Sequence, residues 1–87
     1  MNASAIRGNN QELWEKFLAL LDDKLQLGLL EHLRRVSGYH FEDDVLFIQP
    51  GNPEDMKYLS KDSVFQQLQI LAQDSLGVDK VKLRDVE

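Results

Sequence analysis

No cysteine occurs in the 87 residues, which excludes a disulfide-stapled secreted scaffold and any thiolate metal site. Histidine is almost as scarce. His32 and His40 are the only two, they fall on different predicted elements, and neither reads as a catalytic base or a metal ligand. No apolar run approaches the ~18 residues that a membrane-spanning helix needs. The stretch from Met1 to Gly8 carries neither an apolar core nor a basic start, so it does not read as a signal peptide. The expected compartment is the cytoplasm, with no membrane association. Glycines stand only at positions 8, 28, 38, 51 and 77, forming neither a Gly-x-Gly-x-x-Gly fingerprint nor a Walker loop. A Gly-x-Ser-x-Gly nucleophile elbow is missing as well. No cofactor is expected.

What remains is the composition of an ordinary globular domain, 43% hydrophobic and 29% charged. A chain this short builds one core, burying roughly 60–65% of its unfolded surface. An enclosed substrate pocket of ~300 Å³ or more would consume much of so small an interior. Size and missing chemistry both predict a domain that is not itself an enzyme. The net charge of −5 opposes the approach of nucleic acid, whose binders carry a basic face.

Residues 1–8 are small, polar and aperiodic, and read as a linker or the end of an excised piece. Residues 9–87 read as one α+β interaction domain. A first helix is expected to start at Asn9 or Asn10, because Asn9 and Glu12 have capping-box spacing. Its apolar stripe is Trp14, Phe17, Leu18, Leu21 and Leu25, and it should end near Lys24 or Gln26. A second, from Leu27 to Val36, would bury Leu29, Leu30, Leu33 and Val36, leaving Glu31, His32, Arg34 and Arg35 outside. The period then drops to two. Tyr39–Glu42 and Val45–Gln49 flank Asp43-Asp44 as a hairpin. Pro50-Gly51 ends it, and Asn52 with Pro53 opens a helix whose first turn carries Glu54 and Asp55. Met56 and Leu59 face inward. Ser60-Lys61-Asp62-Ser63 predicts a break, and a long amphipathic helix then runs through Val64, Phe65, Leu68, Leu71, Ala72 and Leu76 to Gly77. An alternating strand, Val78 to Val86, closes the chain. The predicted order is α-α-β-β-α-β: a three-stranded sheet with helices packed on one face.

Glu42-Asp43-Asp44 lacks the spacing, glycine and distal glutamate of a calcium loop and reads as a solvated turn. Lys80, Lys82 and Arg84 line one face of the last strand. They are either a basic stripe for an acidic partner or nucleic acid, or cations that guard an edge and sit opposite Glu42 and Asp44. Phe47, between Leu46 and Ile48, makes the second strand apolar on both faces. It is either tucked under a loop or exposed near Tyr39 or Tyr58, and exposed aromatic clusters anchor protein partners. Trp14, early in the first helix, is expected to be incompletely buried. The partner-binding candidates are therefore Trp14, Phe47 and Tyr58.

Several of these positions carry a resemblance. Leu13-Trp14 at the start of the first helix, the strand Asp44-Val45-Leu46-Phe47-Ile48, the polar break Lys61-Asp62-Ser63 and Leu76-Gly77 before the last strand resemble the C-terminal domain of bacterial DNA polymerase III gamma/tau subunits. Over the same residues, roughly 11–85, the chain is similar to the N-terminal domain of the replication initiator DnaA. The resemblance implies a KH-like fold without the Gly-x-x-Gly loop that KH domains use on RNA. It implies a replication protein that holds a polymerase subunit or the replicative helicase, any ATPase module lying elsewhere in the parent. The initiator-like alternative implies self-association near Trp14 and helicase recruitment. The isolated domain is expected to be a monomer or weak dimer, and a nucleic-acid-binding KH-like module is the further alternative.

Overall fold

A computed structural model describes residues 8–86. The expected linker therefore lies outside the described residues, apart from Gly8. Asn10 caps the first helix, its side chain accepting from the Leu13 amide at 3.2 Å. Helix α1, Gln11–Asp23, then buries Trp14, Phe17 and Leu21 at the three-and-four spacing that puts them on one face. The chain leaves α1 in a Schellman turn. Gln26 N–H donates to Leu21 C=O at 2.8 Å and Leu25 N–H to Asp22 C=O at 3.1 Å. That turn puts Leu25 at φ 58°. Leu25 was expected to extend the buried stripe; instead it is 75% exposed, because the helix has already ended beneath it.

Helix α2, Leu27–Leu33, buries Leu29, Leu30 and Leu33 and is shorter than the periodicity predicts. Beyond it, Arg35 and Val36 donate to the carbonyls of His32 and Leu33, three residues back, which tightens the chain toward the sheet. Strands β1, Gly38–Glu42, and β2, Val45–Gln49, form an antiparallel hairpin with Glu42 opposite Val45. Its two turn residues, Asp43 and Asp44, stand at φ 52° and 63°, the conformation that matches the twist of a two-residue hairpin.

Asn52 caps α3, Pro53–Leu59, by accepting from Asp55 N–H at 2.8 Å. The predicted break falls at Ser60 and Lys61, and α4 runs Asp62–Leu76. Gly77 ends it at φ 72°, a conformation glycine adopts without a Cβ clash. Strand β3, Lys80–Leu83, pairs parallel to β2, giving the order β1-β2-β3 with β2 central. The last strand is shorter than its alternation predicts. Its partner stops at Gln49-Pro50, so the residues beyond Arg84 have no strand to bond.

The described residues thus form an α+β domain of four helices and a mixed three-stranded sheet. The core joins Trp14, Phe17, Leu21, Leu30 and Leu33 from the first two helices with Leu59, Leu68 and Ala72 from the last two. Tyr39, Leu46, Ile48 and Val81 join it from one face of the sheet. No helix among the described residues is long and apolar enough to cross a membrane.

Candidate interaction face

Alternation along the three strands sorts their residues into two sets. Tyr39, Leu46, Ile48 and Val81 point into the core, with Phe41 and Leu83 packed against it. The register places His40, Phe47 and Lys82 side by side on the other face, and Glu42, Val45 and Lys80 in the row beside them. Neither Val45 nor Phe47 belongs to the core or packs against it. Among the described residues, no helix lies on this face.

Phe47 occupies its middle. The Arg84 guanidinium lies over its ring at 5.5 Å from the centroid, and the His40 ring is 6.2 Å away. Both contacts suit a ring that is partly exposed, since a cation can rest on the negative face of an aromatic while keeping its water. His40 is itself held by Glu42, with Nε2 to Oε1 at 3.1 Å. No carboxylate among the described residues lies within 4 Å of Lys80, Lys82 or Arg84, the ion pairs being confined to His32, Arg35 and His40. The expectation that the stripe sits opposite Glu42 is corrected by the strand order, since β2 lies between β3 and β1; Asp44, just ahead of β2, does lie beside the start of β3, its carbonyl accepting from Asp79 N–H. At the far end of the face the chain folds back. The Gln49 amide donates to Asp85 C=O at 3.1 Å, and Gln49 is buried.

Trp14 is corrected most sharply. It is only 6% exposed and stacks on Tyr39 at 4.5 Å, with 10° between the rings. The first turns of a helix are often half-open, but α1 lays this one against the inner face of β1. Burial, with Glu15 nearby as a lesser cause, pushes the Tyr39 phenol above its ordinary range. Gly8 closes the same corner, where an added Cβ would come within 2.7 Å of the Tyr39 ring. Trp14 is therefore a core residue and not the incompletely buried one expected.

The expected company of Phe47 also differs. Tyr39 is on the opposite face. Tyr58, on α3, stacks on His32 at 3.9 Å, with Lys61 5.7 Å from its ring. The three aromatic candidates are thus dispersed: one in the core, one on the open face, one between helices.

Sequence reasoning missed a polar clamp next to Tyr58. Asp55 is 2% exposed and accepts from Arg35 twice, Nε at 3.1 Å and Nη2 at 2.8 Å, and from the Asn52 amide at 3.1 Å. His32 Nε2 stands 3.6 Å away while its Nδ1 meets the Gly28 carbonyl at 2.7 Å, so Nδ1 carries a proton and donates. The Arg35 hydrogen bonds hold the Asp55 carboxyl below the ordinary carboxylate range, against burial, which acts the other way; the charges of Arg35 and His32 and the Asn52 amide add smaller contributions. Every oxygen of this carboxylate has a donor, which is what a buried charge requires. The clamp ties the end of α2 to the start of α3.

Side-chain amides occupy both edges of the sheet. Asn9 reaches the outer edge of β1, donating to Phe41 C=O at 2.7 Å and accepting from Phe41 N–H at 2.8 Å. That pairing replaces the capping role expected of it. On the other edge, Gln69 accepts from Val81 N–H at 3.1 Å and Gln73 donates to Asp79 C=O at 2.8 Å. Edges blocked this way resist strand addition, which leaves the sheet face without a helix among the described residues as the other surface the sheet presents. No family model, curated protein or solved structure matches this chain.

Proposed function

We propose that this chain is a non-catalytic protein-binding module that docks on its partners through the open sheet face centred on Phe47. One observation carries the reading. A half-buried aromatic ring outside the core stands in the middle of a sheet face that carries no helix among the described residues, while side-chain amides sit at both edges and the other face is core. Aromatic and arginine side chains side by side are the usual anchors of protein interfaces. The resemblance to the tau C-terminal domain gives the partner class: the polymerase catalytic subunit or the replicative helicase of the bacterial replication machinery. Two helices ahead of a hairpin, then helix and strand, support the KH-like topology that this resemblance implies. The same order is compatible with the initiator-like alternative, although the buried Trp14 removes the residue on which self-association would rest there.

The test is direct. The domain is titrated against purified helicase and against the purified polymerase catalytic subunit, as native protein and as Phe47→Ala. The expected result is binding to one of them that drops at least tenfold in the variant while the thermal midpoint falls by only about 4–8 °C, leaving the domain folded at the assay temperature. Equal loss of folding and binding would return Phe47 to the core, and no binding by the folded native domain to either protein would remove the replication reading. Sedimentation at rising concentration separates self-association from heterotypic docking, because only the former adds mass.

A further inference from the structure

We propose that the open face takes a short, extended, acidic segment of its partner, with one apolar side chain of that segment resting on Phe47. This rests on the docking reading above and adds the chemistry of the occupant. The argument is charge complementarity with a register. Lys80, Lys82 and Arg84 alternate with Val81 and Leu83, which turn into the domain, so the three cations share one side of β3. Alternate residues of a strand stand about 7 Å apart. An extended peptide running along β3 presents its own alternate side chains at the same spacing, and carboxylates two residues apart can meet successive cations. Phe47 is one strand over, directly beside Lys82 in the register, within reach of an apolar side chain from the same segment.

The contact is made by side chains on the face. Strand addition at β3 is opposed because Gln69 and Gln73 already hold Val81 N–H and Asp79 C=O. The three cations lack a carboxylate neighbour among the described residues, in a chain whose net charge is −5. A polyanionic nucleic acid fits less well. Single-strand binders offer successive stacking rings, whereas Phe47 is the one aromatic of its row beside an imidazole already held by Glu42.

The experiment pans random dodecapeptides displayed on phage against the native domain and against a Lys80→Glu/Lys82→Glu/Arg84→Glu variant. The native domain is expected to select peptides with Asp or Glu at alternate positions around a Phe, Leu or Trp, and the variant to lose them. The selected peptide, made synthetically, should shift the amide resonances of Phe47 and Lys82. Each single charge removal should weaken it about two- to fivefold. A thermal melt checks that the variant folds; if it does not, Lys82→Gln alone replaces it. Peptides selected equally by both proteins, or shifts lying away from β2 and β3, would overturn the proposal. Tighter binding of a single-stranded oligodeoxythymidylate to the same amides would overturn it too. If the charge-reversed variant keeps native affinity for the helicase or polymerase subunit while Phe47→Ala loses it, the docking face stands and the acidic segment falls.

Discussion

The two faces of one sheet are built from neighbouring residues of the same strands, yet they treat an aromatic ring in opposite ways. On the inner face Tyr39 is stacked on Trp14, and Phe41 stands edge-on to Tyr39 at 5.9 Å. Each ring there is held by another ring. On the outer face Phe47 has a guanidinium and an imidazole for company, the guanidinium exposed and the imidazole held by Glu42. The difference separates rings packed in the core from a half-buried ring outside it. Being aromatic, or lying on a strand, does not decide between these roles; the identity of the neighbours does.

Truncating one ring from each face tests this most severely. Trp14→Ala should cost about 3–5 kcal/mol, the range for a fully packed aromatic. A domain of this size holds on the order of 5–10 kcal/mol in total, so much of its stability would go. Phe47→Ala should cost about 1 kcal/mol, chiefly its contact with Arg84 and its partial burial. Urea unfolding followed by far-ultraviolet circular dichroism measures both without relying on the lost tryptophan. Equal costs would erase the distinction between the faces.

A gentler break concerns charge. Asp55 is a carboxylate with every donor supplied, whereas the cations of the open face lack partners among the described residues. Asp55→Asn should cost about 1–3 kcal/mol, the range for hydrogen bonds to a charged group, while Lys82→Gln should leave the urea midpoint where it was. Acid should act through the same group. Because Asp55 titrates lower folded than unfolded, its contribution is intact above the unfolded value of about 3.9 and is lost as pH falls through the folded value. Thermal midpoints should therefore decline below about pH 4, and the decline should be shallower in Asp55→Asn. An unchanged slope would mean that other carboxylates govern acid unfolding.

What was legible in the sequence was local. Apolar spacing gave the helices, alternation gave the strands, and Ser60-Lys61 marked the break, because each of these signals is complete within a few residues. Apart from Leu25, where a local turn ends the helix early, the misreadings depend on residues far apart in the chain. Asn9 and Asn10 are equally good caps, and only the approach of Phe41, 32 residues away, assigns Asn9 to the sheet edge. Trp14 reads as half-exposed until β1 brings Tyr39 beneath it. Asp55 reads as a helix-dipole charge until Arg35, 20 residues earlier, reaches it. The basic stripe on β3 was visible as alternation, but its neighbour is set by strand order, which pattern does not encode.

The smallest effect tests whether the open face is the only apolar surface that matters. Leu25, in the turn between α1 and α2, is far more exposed than half-buried Phe47, and it holds a left-handed backbone that disfavours a side chain by roughly 1–2 kcal/mol. Gly77 has nearly the same backbone at the end of α4 without that cost. Leu25→Gly relieves the strain and loses little burial, but it gives the unfolded chain more freedom to lose. The net expectation is a gain of about 0.5–1 kcal/mol, read as a higher urea midpoint, with partner affinity unchanged. If the variant is instead less stable, the Leu25 side chain packs more than its exposure implies. If stability rises but the partner is lost, the docking surface lies at this helix turn, and Phe47 is a bystander on a face that only looks available.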